Sequence, residues 1–151
     1  MDTVADFEDM LDLLERHGVR YLIIGGLAFI FHAKPRFTKD MDVWIAFDAE
    51  NIASANRALA EFGSPTLLST ERDGDVLQIG IAPDRLDFFL RIEGTDFDEA
   101  FGRRVRSRYG RVEANWIALE DLLAIKDCID SPRHREDARV LREVLRRRGG
   151  G

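Results

Sequence analysis

An apolar run ends in two adjacent glycines and is followed by a helical pattern. Residues 20–24 (RYLII) are typical of a short buried strand, which Gly25 and Gly26 bring to an end. Residues 27–33 then show helical spacing up to the break at Pro35. The chain is therefore predicted to pass from a buried strand, through a backbone without side chains, into a helix.

A second apolar run, residues 40–47 (DMDVWIAF), is predicted to be a strand that carries two carboxylates. Strand alternation places Asp40 and Asp42 on the same face, with Cβ atoms about 6 to 7 Å apart. Such paired carboxylates are ligands that Mg²⁺ prefers. Chance pairs such as Asp73 and Asp75 also occur among 28 acidic residues. The apolar surroundings of the first pair, which indicate burial, distinguish it from these.

A third aspartate interrupts a later apolar strand. In residues 85–92 (RLDFFLRI), Asp87 points away from the hydrophobic face. If this strand lies beside residues 40–47, the three carboxylates meet next to the glycines. The free N–H groups of a helix that begins with glycines attract phosphate, although a tight turn alone would also explain Gly25 and Gly26. We therefore predict a combined site for a metal and a phosphate group.

The rest of the chain alternates between helical and strand patterns, which indicates the α+β class. Thr3 or Asp2 is predicted to cap the first helix, and a turn at Pro83-Asp84 to join two strands. We expect one domain over residues 1–148 with a flexible tail at 149–151. The further predicted elements are helices at 49–62, 97–101, 119–129 and 135–148, and a hairpin through Tyr109-Gly110.

The charge is unevenly distributed along the chain. Residues 1–100 carry a net charge of −11, whereas residues 101–151 carry +5. A basic half indicates a polyanionic partner such as RNA. Arg104, Arg106 and Arg108 are predicted to share one strand face that could bind a nucleic acid backbone. An edge strand kept soluble by its charges explains them equally well.

Neither a membrane segment nor a secretory leader is expected. The longest apolar stretches are far shorter than the ~20 residues that span a bilayer, and the N-terminus is acidic from its second residue. The single cysteine, Cys128, excludes an internal disulfide and is expected to be a buried helical residue. These features predict a cytoplasmic protein.

The order and spacing of these motifs resemble those of the polymerase-beta-like nucleotidyltransferase superfamily. Residues 18–45, 85–101 and 119–141 are similar to a small bacterial group related to abortive-infection and other toxin–antitoxin nucleotidyltransferases. The resemblance implies the nucleotidyltransferase fold, a small mixed β-sheet flanked by helices with a helical C-terminal end. It also implies an enzyme that transfers a nucleoside monophosphate from an NTP to a hydroxyl group and releases pyrophosphate.

The same resemblance implies roles for individual residues. Asp40 and Asp42 would bridge two Mg²⁺ ions, and Asp87 would bind the ion that lowers the pKa of the attacking hydroxyl. Gly26 stands where many relatives have serine, so a hydroxyl donor to phosphate is lost while the backbone donors remain. The nucleotide-binding residues implied are Gly25, Gly26, Arg36, Thr38, Lys39 and Lys126.

The C-terminal motif carries two open assignments. Lys126 fits a contact to the triphosphate, but from the sequence alone an exposed lysine paired with Asp130 is the simpler interpretation. Arg135, with Asp137, fits a structural or acceptor-facing role, and Arg133 is the alternative to Arg135.

The resemblance and the basic half together favour RNA, such as a tRNA end, as the acceptor, with a protein tyrosine as the next choice. A toxin or antitoxin would then be the natural protein partner. The alternative from another class is a non-catalytic module that keeps the fold as an antitoxin or interaction subunit. Metal-dependent nucleotide binding would separate the enzyme from the module.

Overall fold

A mixed six-stranded sheet carries the three aspartates on two neighbouring strands near its middle. The computed structural model describes residues 1–38, 40–81 and 84–150, so Lys39 and the turn predicted at Pro83 lie outside the described residues. In chain order the elements are α1 (Ala5–Arg16), β1 (Tyr21–Ile24), α2 (Gly25–His32), β2 (Asp40–Ile45), α3 (Ala49–Phe62), β3 (Val76–Ile79), β4 (Arg85–Phe89), α4 (Phe97–Gly102), β5 (Val105–Tyr109), β6 (Val112–Trp116), α5 (Leu119–Asp127) and α6 (Pro132–Gly150).

The strand order in the sheet is β3-β4-β2-β1-β6-β5. β2 lies between β1, to which it is antiparallel, and β4, to which it is parallel. β1 is also parallel to β6, while β3 with β4 and β5 with β6 form antiparallel pairs. The sheet is therefore mixed, which confirms the predicted fold class.

Strand alternation sends the side chains of the central strands into two separate cores. Met41 and Val43 on β2 and Phe88 on β4 pack with α1 and α3 on one side of the sheet. Trp44 of β2 packs on the other side, with residues of α4, α5 and α6 such as Leu122. The face that carries Asp40 and Asp42 is therefore the face covered by the C-terminal helices.

Two helix starts differ from the prediction. The N-cap of α1 is Val4, with no side-chain capping bond, so neither Asp2 nor Thr3 caps this helix. α6 begins at Pro132 rather than at residue 135. The hydroxyl of Ser131 accepts a hydrogen bond from the backbone N–H of His134 at 3.2 Å, and proline is well suited to the first helical position because it needs no N–H partner there.

The glycine positions also differ from the prediction. α2 begins at Gly25 rather than at Leu27, so both glycines belong to its first turn. α6 continues to Gly150, so Gly149 is helical rather than the start of a separate tail. Glycine weakens a helix but does not stop one that preceding turns already support. Gly151 lies outside the described residues.

Two further sequence predictions can be compared with the structure. None of the described helices has the length and apolarity needed to cross a bilayer. Cys128 is exposed, which corrects the expectation that it is buried. It is the C-cap residue of α5, one position beyond the end of that helix.

Candidate active site

The three aspartates meet on the face of the sheet covered by the C-terminal helices. Asp42 on β2 lies directly opposite Asp87 on the parallel neighbour β4, and Asp40 lies two residues earlier on the same strand. One carboxylate oxygen from each residue can be chosen so that all three lie within 4.8 Å of one another. Neighbouring parallel strands thus bring together the carboxylates that the sequence predicted to converge.

The carboxylate cluster is electrostatically unfavourable without a bound cation. Burial, followed by the charges of Asp87 and Asp40, raises the pKa of Asp42 to about 7. Asp87 is only 4% exposed. Negative groups that lie this close and this deep favour either a proton or a positive partner.

Arg85 supplies a positive partner that the sequence analysis missed. It lies opposite Asp40 in the register of β2 and β4, and two residues before Asp87 on the same strand. Its guanidinium donates to Asp87 at 3.0 and 3.1 Å and to Asp40 at 2.9 Å. The alternation that paired Asp40 with Asp42 also places Arg85 and Asp87 on one face, so the signal was present in the sequence.

Gly25 brings the start of α2 against the carboxylates. A Cβ atom added to Gly25 would lie 2.2 Å from Oδ2 of Asp42. The φ angle of Gly25 is also positive, at +68°, a conformation that residues other than glycine rarely adopt. Glycine is thus required at this position both by the backbone conformation and by the proximity of Asp42.

Gly26, the next residue, faces Thr38. A Cβ atom on Gly26 would lie 2.7 Å from Oγ1 of Thr38. The hydroxyl of Thr38 therefore lies where a side chain at position 26 would begin. The structure retains a hydroxyl beside the first turn of α2 although Gly26 has none.

Three charged side chains, two of them buried and one half-buried, form a network beside this turn. Asp137 of α6 accepts a hydrogen bond from Nη1 of Arg36 at 2.7 Å and forms an ion pair with Nζ of Lys126 at 3.0 Å. Burial lowers the pKa of Lys126, against the opposing effect of Asp137. Although burial opposes it, the contacts from Arg36 and Lys126 keep the pKa of Asp137 below its ordinary value.

This network excludes one of the two interpretations of Lys126, and its contact with the triphosphate stays a prediction. The lysine is 5% exposed, so it is not a solvent-exposed partner of Asp130, which pairs instead with Arg135. Nδ1 of His134 lies 3.2 Å from Nζ of Lys126. No local pattern along the chain indicates this contact, because it joins two helices.

The other predicted binding residues lie outside the carboxylate cluster. Arg133 and Arg135 are both exposed. Arg133 also lies near enough for its charge to lower the pKa of Lys126. Arg106 and Arg108 belong to the β5 hairpin (β5 and β6), which is at the opposite edge of the sheet from β3 and β4. Arg104 lies just before β5 and therefore outside the predicted strand face.

Two of these three arginines have partners within the chain. Arg104 donates to Asn115 and to the carbonyl of Phe101, and Arg106 donates to Glu15 and Asn115. Arg106 and Arg108 are both exposed and share a strand face, as the alternation predicts. Their role in binding an acceptor stays a prediction.

The carboxylate cluster has the donors that a divalent cation needs. Oδ1 of Asp40 is buried without a hydrogen-bond partner among the residues that the structure describes. Buried polar atoms are rarely left without a partner. Three carboxylates in this arrangement offer the hard oxygen ligands that Mg²⁺ favours. The residues present therefore fit a bound divalent cation.

The solved structures similar to this chain include two linked to antibiotic adenylylation and one nucleotidyltransferase-like protein. A lincosamide antibiotic adenylyltransferase, LnuA, with lincomycin bound, superposes with a TM-score of 0.60 at 14% identity, over 95% of this chain and 99% of that one. ANT(2")-Ia in complex with adenylyl-2"-tobramycin superposes with a TM-score of 0.57 at 18% identity, over 92% of this chain and 87% of that one. An antigenic nucleotidyltransferase-like protein from Paracoccidioides brasiliensis superposes with a TM-score of 0.55 at 15% identity, over 95% of this chain and 77% of that one.

The sequence by itself matches no protein-family model and no curated protein. The structural likeness nevertheless extends over nearly the whole chain, and over most of each of the three neighbours. At sequence identities this low, structural similarity establishes the fold of the chain and no more. This chain has the nucleotidyltransferase fold.

Proposed function

We propose that this protein is a Mg²⁺-dependent nucleotidyltransferase that transfers a nucleoside monophosphate from an NTP to a hydroxyl group and releases pyrophosphate. The observation that carries the proposal is the position of three carboxylates within 4.8 Å of one another, directly against the glycine that begins α2. The neighbouring folds, two of which are adenylyltransferases by name or by their bound product, support the same chemistry.

Asp40, Asp42 and Asp87 would hold the divalent cation, and the predicted number of ions is two. When bound, such ions neutralise phosphate charge and lower the pKa of an attacking hydroxyl. Asp42 must be ionised to take part, and its pKa of about 7 allows this at neutral pH once a cation lies nearby.

The first turn of α2 would bind the phosphates of the NTP. The N–H groups of a helix's first turn lack partners within the helix, and the absence of side chains on Gly25 and Gly26 lets a phosphate approach them closely. The hydroxyl of Thr38 lies against Gly26 and would add a donor there. Arg36 and Lys126, both held by Asp137, would orient the triphosphate from the side of α5 and α6.

RNA is the acceptor proposed from the sequence. The net charge of +5 over residues 101–151 supports it, as does the exposed Arg108 on the β5 hairpin. The internal partners of Arg104 and Arg106 weaken this support, because a paired arginine must give up its partner to bind a phosphate.

A small organic molecule with a hydroxyl group is the second candidate acceptor. Two neighbours are enzymes of antibiotic adenylylation. A cavity of about 580 Å³ also opens beside Arg36 and Thr38. Much of its wall is apolar, which suits an uncharged organic group or a base better than a phosphate backbone; the apolar side chains lining it are Met1, Val4, Phe7, Leu27, Ile30, Pro35 and Phe37.

Labelled NTPs and Mg²⁺ would test the proposed reaction against three acceptor pools: bulk tRNA, a tyrosine-containing protein extract, and a panel of aminoglycosides and lincosamides. We expect transfer to at least one pool, and a loss of at least about a hundredfold in Asp42→Asn and in Asp87→Asn. Asp75→Asn is the matched control, because Asp75 is the exposed member of another Asp-x-Asp pair and contacts only Arg72 among the ion pairs described.

A non-catalytic interaction module is the rival function. Calorimetry with a non-hydrolysable NTP separates the two, because the proposed enzyme binds the nucleotide tightly only when Mg²⁺ is present. Equal binding with and without Mg²⁺, together with no transfer to any acceptor pool, would reject the enzyme in favour of the module.

The biological setting that we propose is a bacterial toxin–antitoxin pair in the cytoplasm, and it rests on the resemblance of the sequence motifs. Inducible expression tests it. If the protein is the toxin, growth stops with the wild type and continues with Asp42→Asn. If it is the antitoxin, its expression relieves the toxicity of a partner protein.

A further inference from the structure

Arg85 lies where a metal ion would have to bind. Its Nε and Nη2 atoms donate hydrogen bonds to both carboxylate oxygens of Asp87, at 3.0 and 3.1 Å. Nη2 also donates to Oδ2 of Asp40 at 2.9 Å. Those are oxygens that a divalent cation shared by the three aspartates would need. Oδ1 of Asp40, by contrast, has no partner in the described part of the chain.

The position of Arg85 is set by the sheet. The parallel register of β2 and β4 places its Cα opposite that of Asp40, and alternation along β4 puts its side chain on the same face as Asp87. An arginine keeps its proton at any ordinary pH, and its planar fork matches a carboxylate. The hydrogen bonds from Arg85 to Asp40 and Asp87 therefore persist at any ordinary pH, unless a stronger cation competes for the same oxygens.

The nearby cations of the structure have other partners. Arg36 and Lys126 both contact Asp137. Among the residues that the structure describes, Arg85 is thus the cation hydrogen-bonded directly to the carboxylate cluster. Its side chain is 33% exposed, whereas that of Asp87 is 6% exposed. The guanidinium consequently has a path into solvent, while the carboxylate does not.

We propose that Arg85 is a positioning residue that acts as a substitute cation: it holds Asp40 and Asp87 in place before metal binds, and it leaves them when metal enters. This inference rests on the proposed function, because it assumes that the carboxylates bind a divalent cation. A doubly charged ion at direct contact outcompetes a singly charged guanidinium, yet it must first displace it. Arg85 therefore stabilises the metal-free protein and weakens its affinity for the metal.

The two effects of removing Arg85 have opposite signs. A residue that merely supports the shape of the site would, when removed, lower both stability and metal affinity. A substitute cation, when removed, lowers the stability of the metal-free protein but raises its affinity for metal. The sign of the change in affinity thus distinguishes the proposed role from a purely structural one.

Titration of the full chain with MgCl₂ and MnCl₂, without nucleotide, tests this inference by calorimetry. Arg85→Gln keeps a side chain of similar length without the charge, and we expect it to bind the metal about tenfold more tightly than the wild type, the scale of one lost competing ion pair. Its melting temperature in EDTA should fall. Arg91→Gln is the matched control, because Arg91 follows β4 and pairs with the exposed Glu93.

Arg85→Lys provides a second variant if Arg85→Gln does not fold without metal. A lysine keeps the charge but loses the fork, so its metal affinity should lie between those of the wild type and Arg85→Gln. Equal or weaker metal binding by both variants, with normal binding by the wild type, overturns the inference and leaves the proposed function intact. No metal binding by the wild type or by any variant overturns both.

Discussion

Gly25 and Asp42 approach so closely that a side chain at position 25 would clash with the carboxylate. A Cβ atom there would lie 2.2 Å from Oδ2 of Asp42, and the backbone of Gly25 has a φ of +68°. This contact joins the start of α2 to the carboxylate cluster. It therefore sets the distance between the proposed phosphate site and the proposed metal site.

Gly25→Ala should destabilise the protein more than Gly18→Ala. Gly18 has nearly the same φ, +67°, but nothing lies within 4 Å of the added Cβ. We expect about 1 kcal/mol of lost stability for Gly18→Ala from backbone strain alone, and a further loss of about 1 to 3 kcal/mol for Gly25→Ala from the clash with Asp42. Urea unfolding measures both. Equal losses would mean that Asp42 moves away without cost.

Gly26→Ala should be destabilising only while Thr38 keeps its hydroxyl. Alanine normally stabilises a helix relative to glycine by about 0.5 to 1 kcal/mol, but here its Cβ would lie 2.7 Å from Oγ1 of Thr38. In a double-mutant cycle, the cost of Gly26→Ala should shrink by about 1 kcal/mol or more in the Thr38→Ala background. Additive effects of the two substitutions would contradict the contact.

The stability of the metal-free protein should depend on the protonation of Asp42. Its pKa is raised from 3.8 to about 7 by burial first and by the charges of Asp87 and Asp40 next. Between these two values the folded protein keeps a proton that the unfolded chain releases. The contribution of Asp42 to the free energy of unfolding therefore falls as the pH rises from about 4 to about 7, and is level above that.

Comparison of the wild type with Asp42→Asn in EDTA isolates this contribution. As the pH rises from about 5 to about 8, the free energy of unfolding of the variant should increase by about 1 to 3 kcal/mol relative to that of the wild type. Urea unfolding at both pH values measures the difference. An unchanged difference between the two proteins across this range would contradict the raised pKa.

Asp137→Ala should be strongly destabilising, because it leaves two cations without their shared partner. Lys126 and Asp137 each have side chains that are 6% exposed, and Arg36 is 21% exposed. Removing one partner of a buried ion pair costs about 3 to 5 kcal/mol. Chemical denaturation measures this loss, and nucleotide affinity should fall with it.

The control for that substitution is Asp130→Ala. Asp130 pairs with Arg135 on the surface and is 96% exposed, so its loss should cost no more than about 0.5 kcal/mol. Similar losses for the two variants would show that the pair formed by Lys126 and Asp137 contributes little.

Much of the local structure follows from the sequence. The alternation in residues 40–47 predicted that Asp40 and Asp42 share a face, and β2 shows that they do. The glycines predicted the end of a strand shortly before a helix, and β1 does end at Ile24, although α2 begins at Gly25 rather than at Leu27. Periodicity and chain-breaking residues act over a few positions, so they can be read along the chain.

The contacts that make the candidate site could not be read in the same way. The proximity of Asp87 to Asp42 depends on β4 lying beside β2 and parallel to it. From the sequence, we could predict only that the carboxylates would meet if these two strands were neighbours. Arg85 lies on the face that alternation predicts, but its bond to Asp40 depends on the register between the strands.

The burial of Lys126 likewise depends on the packing of α6 against α5, which places Asp137 beside it. A residue's own neighbours in the chain determine whether it is helical or extended and which way its side chain points. Its partners from distant segments are chosen when the whole core packs together, because that step alone settles which surfaces are buried against each other.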